Sequence, residues 1–446
     1  MLTGLALSLP SGAATAAPFG LDGWVVGAVQ ADGMSQAPSI SADGRFVVFG
    51  SSATNLVPGD TNRAVDIFVR DMARHATTRV SVSSAGTQAN GPSWDGPQIS
   101  ANGRWVAFGS DATNLVAGDT NHARDLFVRD LRSATTKRVN LNSTGQQASD
   151  GVLSYSMSAD GRFVSFVSIA ANLVPKDTNR TFDVFVRDLV TGKTTRVDVS
   201  SGGQEANGAS YGGTSLSADG RYVAFTSTAS NLVAGDTNDD ADVFVRDLRT
   251  AITRRASVSS AGTQGNGGLS SPVTLSGDGR YLVFESDATN LVPDDTTALD
   301  DVFRRDLVLG STVRVNVSTS GAQANSFTYN TSALSGDGVL IGFTSMATNL
   351  VSGESNLRED VFLRDVAEGT TTRLTLTDKG QPGNGTYSHT GDEFLSADRR
   401  FVVFTSDSSN LVPGDTNAND DVFLRDLTNH TVTRVSLGSG RTGPVG

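Results

Sequence analysis

The stretch SADGRFVVFGS, Ser41–Ser51, decides the fold. A polar Asp-Gly pair is followed at once by an apolar, β-branched and aromatic run. Asp-Gly tolerates the positive φ that a two-residue hairpin demands, so Ala42–Arg45 reads as a turn between two strands. The same signal returns as ANGR (Ala101–Arg104), ADGR (Ala159–Arg162), ADGR (Ala218–Arg221), GDGR (Gly277–Arg280), GDGV (Gly336–Val339) and ADRR (Ala397–Arg400). Its Asp or Asn falls at 43, 102, 160, 219, 278, 337 and 398, giving seven copies with a period of about 59 residues.

Within one period the strand signals are PSIS (Pro38–Ser41), RFVVFGS (Arg45–Ser51), DIFVRD (Asp66–Asp71) and TTRVSVS (Thr77–Ser83). Their period-two alternation, bounded by Gly, Asn, Asp and Pro, is that of strands. Each repeat is therefore a four-stranded antiparallel unit. Seven such units cannot bury both faces alone, but stacked radially they can, and the ring protects their edges. The expected fold is all-β, a single seven-bladed β-propeller over residues 35–446.

Composition narrows the function. The 446 residues carry a formal net charge of −12, 18% charged and 37% hydrophobic residues. No basic stripe is present to replace counterions on phosphates, which argues against nucleic acid. The absence of cysteine excludes disulfides and thiol catalysis. The apolar run Leu2–Leu9 and the small residues Ala14–Ala16 read as the end of a signal peptide over 1–17, so we expect export to periplasm, envelope or medium. That run is too short to span a bilayer. In the segment 18–34, Gly23–Val29 reads as a strand that pairs near the last blade and seals the ring. The chain is expected to act as a monomer.

SADGRFVVFGS followed by DIFVRD resembles the TolB-type, or PD40, propeller repeat, over roughly residues 35–437. Typical members read Ser-Pro-Asp-Gly-Arg; here Ala or Gly replaces the Pro. The resemblance implies a propeller. For function it implies a choice among envelope proteins, interaction platforms beside peptidase domains, and polysaccharide-degrading enzymes.

Between the second and third strands lies a recurring oxygen cluster: Asp60/Asn62/Asp66, Asp119/Asn121/Asp125, Asp177/Asn179/Asp183, Asp236/Asn238/Asp242 and Asp415/Asn417/Asp421. Blade four adds Asp240; blade five has Asp295/Thr297/Asp301 and blade six Glu354/Asn356/Asp360. Calcium takes six to eight oxygen ligands, and Asp-x-Asn opens many calcium loops, so Ca²⁺ is one expectation. The other is turn capping, in which Asp and Asn bond nearby backbone N–H groups. Arg70-Asp71 and its copies are expected to be structural ion pairs and turn caps.

The loop joining successive blades repeats Gly-x-Gln-x-Asn, as in Gly86/Gln88/Asn90, Gly262/Gln264/Asn266 and Gly321/Gln323/Asn325. Aromatic residues follow it, with Trp94, Tyr211 and Tyr329 at one repeat position. Rings beside amides suit a glycan or a protein partner, which makes Trp94, Tyr211, Tyr329, Asn90, Asn266 and Asn325 the candidate ligand-binding residues. The motif YSHTGDE (Tyr387–Glu393) occurs once, in a loop two residues longer than its neighbours. Tyr387 and His389 are the candidate acid and base of an alternative, a polysaccharide lyase or hydrolase. The main expectation is an exported binding or scaffolding module.

Overall fold

The structure, a computed structural model, describes residues 28–439 apart from 270–272, 298 and 354–356, and leaves out the side chains of 95, 329–332 and 390–393. It is a seven-bladed β-propeller of four-stranded antiparallel sheets. Blade one comprises β1 (Ser35–Ile40), β2 (Phe46–Ser51), β3 (Asp66–Asp71) and β4 (Ala76–Arg79), paired in chain order. Every later blade repeats that order, so each is built from consecutive strands. Among the described residues no helix is long and apolar enough to cross a membrane.

Period-two alternation sends neighbouring side chains to different blades. In β2 and β3 the cross-strand pair Phe49 and Phe68 faces blade seven, packing with Val403 and Val422. Val48, Ile67 and Val69 face blade two, packing with Ile99, Phe108 and Phe127. A stacked or tilted Phe pair of this kind recurs in all seven blades, with centroids 5.6–6.0 Å apart. Full burial of each ring contributes about 1.5–3 kcal/mol, so the inter-blade cores hold the ring together.

The Asp-Gly turn is a β-turn closed by Gly44 N–H to the Ser41 carbonyl at 2.9 Å. Asp43 Oδ1 accepts the Ser41 hydroxyl and the Arg45 N–H. Glycine is needed here twice over. In the second blade Gly103 has φ +69°, and a Cβ on it would lie 2.5 Å from the Phe46 ring of blade one. Blade seven breaks the rule with Arg399, φ 59°, and the preceding blade has Leu340 where the aromatic stands elsewhere.

Alanine or glycine ahead of that Asp has its own reason. The Ala42 N–H donates to the Ala101 carbonyl, Ala101 to Ala159, Ala159 to Ala218, Ala218 to Gly277, Gly277 to Gly336, and Ala397 to Ala42, at 2.8–3.1 Å. At the remaining junction Arg399 pairs with Asp337. Proline has no N–H to give, so the Pro of the typical repeat cannot join this belt. The inner-strand N–H groups above it are met by side chains of the preceding blade: Ile99 N–H by Ser39, Met157 by Gln98, Leu216 by Ser156, Leu275 by Ser215. At these four junctions the neighbouring blade satisfies the inner edge. The first strands enclose a cavity of about 470 Å³ along the axis.

The ring closes where the chain ends meet. In blade one Val82 and Gln88 form an antiparallel bridge across a short turn; in blade seven Leu437 and Gln30 form the same bridge. Gly438 N–H bonds the Val29 carbonyl at 2.8 Å. Val29–Ala31 thus pair with blade seven; of the strand expected at Gly23–Val29 to seal the ring, residues 23–27 lie outside the described residues.

Candidate functional site

The oxygen clusters lie on the face that carries the loops between second and third strands. In blade one a partly buried arginine from β4 reaches both carboxylates: Arg79 Nη2 is 3.0 Å from Asp60 and Nε 3.3 Å from Asp66. Gln88 Nε2 donates to Asp60 at 2.9 Å and to Asp66 at 3.0 Å. Asn62 Nδ2 donates to Asp66 and to the Ala89 carbonyl, and the Ser81 hydroxyl donates to the other Asp66 oxygen. Burial pushes the Asp66 carboxyl up, against these donors.

The same clamp recurs. Arg138 pairs with Asp119 and Asp125, Arg255 with Asp236 and Asp242, Arg314 with Asp295 and Asp301, and Arg373 with Asp360. Asn121 and Asn179 donate to Asp125 and Asp183 as Asn62 does to Asp66, and Asn238 donates to the Gly265 carbonyl. In blade five Gln323 adds Thr297 to its contacts. Glu354 and Asn356 of blade six lie outside the described residues. In blade seven Arg434 takes Asp415 and Asp421 at 3.4 and 3.7 Å, and the glutamine is Gln30 from the other end of the chain, 2.8 Å from Asp415. Asn417 bonds Asp421 and the Ala31 carbonyl.

Blade three differs. Glu205 stands for the glutamine and Asp198 for Ser81, so Arg196 serves Asp177, Asp183 and Glu205 together. Burial and the adjacent Asp183 push the Asp198 carboxyl well above the usual range.

In blade three Asp177, Asp183 and Glu205 bring carboxylate oxygens within 4.8 Å of one another, a group that could hold a cation, with Arg196 paired to all three. In blade one the residues as folded do not fit calcium. The amide nitrogens of Asn62 and Gln88 face the carboxylates, where a hard cation needs oxygen, and a guanidinium already bridges the two acids. Asp240, the extra oxygen of blade four, is exposed. The arginine of TTRV was the missed residue, although it stands in every repeat.

The Arg-Asp pair closing each third strand splits its work. Asp71 binds Arg45 of the Asp-Gly turn at 3.0 and 2.7 Å and caps the next turn through Ala73 and Arg74 N–H. Arg70 reaches Thr77 and the Leu437 carbonyl of the neighbouring blade. Neither touches a channel mouth.

Among the candidate ligand-binding residues, the asparagines are loop pins. Asn90 exchanges hydrogen bonds with Thr113 and Asn114 of the next blade, as Asn266 does with Thr289 and Asn290, and Asn325 with Thr348 and Asn349. Asp32 does the same to Thr54 and Asn55 at the ring junction. The aromatics are different. Trp94 is 38% and Tyr211 46% exposed, at the entry to the first strands. The Tyr329 backbone is in register with Thr344, but its side chain lies outside the described residues. Met34, Leu153, Phe327 and Tyr387, also exposed, sit at neighbouring positions of their own blades. Among the described residues one such group stands at the first-strand entry of every blade but the fifth, an apolar crown of separate groups around the loop face.

His389 occupies the repeat position of Trp94, in register with Thr405. Its ring lies 4.8 Å from that of Tyr387. Burial lowers the imidazole to about 4, and among the described residues its buried Nδ1 has no hydrogen-bond partner. Burial, Asp420 and Glu359 push the Tyr387 phenol up. A neutral, weakly basic imidazole beside a phenol that resists ionisation is poorly set for proton abstraction at neutral pH. The side chains of Asp392 and Glu393 lie outside the described residues.

No protein-family model and no curated protein matches the chain. Solved structures do. The β-propeller domain of the Trilobed protease from Pyrococcus furiosus, described as having an open velcro topology, matches with a TM-score of 0.52 and 10% identity, covering 90% of this chain and 97% of that one. An oligogalacturonate lyase in complex with manganese gives 0.51 and 13%, over 88% and 90%. TolB from Acinetobacter baumannii gives 0.40 and 16%, over 89% and 83%. At these identities the likeness concerns the fold alone.

Proposed function

We propose that this chain is an exported binding or scaffolding module that recognises a protein or a glycan on its loop face. The observation that carries the reading is the crown. Met34, Trp94, Leu153, Tyr211, Phe327 and Tyr387 are large, exposed and gathered at the entries to the first strands of the blades. Exposed apolar groups in such a patch mark interaction sites, and Trp and Tyr anchor them with little loss of side-chain freedom. The export reading draws on the small-residue run at the N-terminus.

The clamps support the same picture. We infer that each arginine is the cation of its loop, so that the loops hold the face in shape without calcium. The enzyme alternative has less support, because Tyr387 and His389 are tuned away from acid-base work.

The test is binding by the full chain to a glycan array and to displayed random peptides, repeated with Trp94→Ala and Tyr211→Ala. Loss of the captured class in both variants is the expected result. Capture unaffected by both places the binding face elsewhere. Turnover of a polysaccharide that His389→Ala abolishes would favour the enzyme.

A further inference from the structure

Two positions of the repeat meet on the loop face, one just after the second strand and one just before the third. In blade two they are Asp111 and Arg124, and they pair: Arg124 Nε is 3.3 Å from Asp111 Oδ1. Trp94 of the crown donates its indole N–H to the other Asp111 oxygen at 3.2 Å. In blade seven both positions are acids, Asp407 and Asp420.

Glu359 of blade six, which precedes its third strand as Asp420 does, adds another carboxylate. Burial and Asp407 push its carboxyl up, and burial, Asp407 and Asp421 do the same to Asp420. Asp407 accepts the N–H groups of Thr386 and Tyr387 and the Thr386 hydroxyl. Among the described residues no lysine or arginine lies within ion-pair distance of Glu359, Asp407 or Asp420. Arg358, adjacent in sequence, is turned to the carbonyls of Asn384 and Gly385. Tyr387 stands beside these acids, its N–H on Asp407 and its phenol in the field of Asp420 and Glu359, and the His389 ring packs on it.

We infer that this sector of the crown anchors a lysine or arginine side chain of a protein partner, which takes in blade seven the place that Arg124 takes in blade two. The inference rests on the binding face proposed above and names the partner's chemistry. A side-chain cation fits better than a metal ion. The Tyr387 ring borders the acids and favours ammonium or guanidinium through its face. The apolar crown beyond them suits residues flanking the cation in a peptide. A calcium ion would use neither.

The experiment selects displayed random peptides on the full wild-type chain, on Asp420→Arg and on Asp420→Asn. Asp420→Arg should pair with Asp407 as Arg124 does with Asp111 and keep the fold; Asp420→Asn removes the charge alone. The expected result is enrichment of peptides with Lys or Arg beside apolar residues. A synthetic copy of the leading peptide should bind Asp420→Arg at least about tenfold more weakly than wild type. Norleucine in place of its lysine, or citrulline in place of its arginine, should weaken wild-type binding by a similar factor. Enriched peptides without a cation, lost in Trp94→Ala and unchanged in Asp420→Arg, would overturn the anchor and leave the crown standing. Enrichment of nothing, with glycan capture intact, would overturn it in favour of a sugar. Calorimetric calcium binding that Asp420→Arg abolishes, with no peptide enriched, would overturn it in favour of a metal. No capture of either class would remove the binding face itself.

Discussion

Blade two and blade seven pair their second, third and fourth strands in the same register, yet one rim is neutral and the other acidic. In blade two, Asp111 is neutralised within the blade by Arg124 and by the Trp94 indole. In blade seven, Asp420 stands in the arginine's place and faces Asp407, with Glu359 close by. A repeat protein copies its core and its turns. These two rim positions are not copied: blade one has Ser52 and Val65, blade three Ile169 and Phe182, and blade five shares the acid pair of blade seven as Asp287 and Asp300.

The largest expected effect concerns the clamps. Arg138→Met in blade two leaves Asp119 and Asp125 buried and unpaired, a loss of about 3–5 kcal/mol. Arg434→Met should cost less, because its contacts in blade seven are longer, 3.4 and 3.7 Å against 3.1 and 2.8 Å. Denaturant unfolding checks this; equal losses would mean the two clamps are equivalent.

Blade seven also depends on the other end of the chain. A chain beginning at Ser35 lacks Gln30, and with it the donors to Asp415 and Asp421. Hydrogen bonds to charged groups are worth about 1.5–3 kcal/mol each, so the midpoint should fall by several degrees. Unchanged melting would show that blade seven closes without this segment.

Swapping the rims should have a smaller effect. Asp420→Arg should raise stability by up to about 1 kcal/mol, and Arg124→Asp should lower it by a similar amount. Their gap from wild type should depend on pH. Glu359 and Asp420 have carboxyls raised in the folded state. The folded form therefore holds more protons than the unfolded form between the two values, and stability falls as pH rises through that window. The gain from Asp420→Arg should accordingly be full at neutral pH and shrink below the ordinary carboxylate range. A gain independent of pH would mean that repulsion between the acids is not its source.

The smallest effect is expected from calcium. Metal-stripped protein should melt at the same temperature with and without millimolar calcium, since arginine already bridges the acids. A bound ion at a hundredfold excess over its dissociation constant would add about 2.7 kcal/mol per site. A large shift reversed by chelator would therefore displace arginine as the loop's cation.

Most of the fold was legible because a period of about 59 residues and an Asp-Gly turn in nearly every copy admit few architectures. The clamp was only half legible. Asp60, Asn62 and Asp66 stand together in the chain, but Arg79 and Gln88 reach them from strands and loops further on. Their recurrence in nearly every repeat was the available signal. The ring junction was also readable in hindsight, since Gln30-Ala31-Asp32-Gly33 copies Gln88-Ala89-Asn90-Gly91. The rim was not. That Asp407 faces Asp420 depends on the path of the loop between them, and only the Arg124 contact in blade two reveals which positions meet.

The belt of backbone hydrogen bonds through Ala42, Ala101, Ala159, Ala218 and Gly277 is a clasp and not an even ring. Among the described residues six of its junctions are fastened by backbone bonds, and the seventh by the charges of Arg399 and Asp337. A Cβ on Gly277 would stand 3.5 Å from that of Ala218, while one on Gly336 would meet nothing within 4 Å. The seventh junction is therefore the one that ionic strength can loosen.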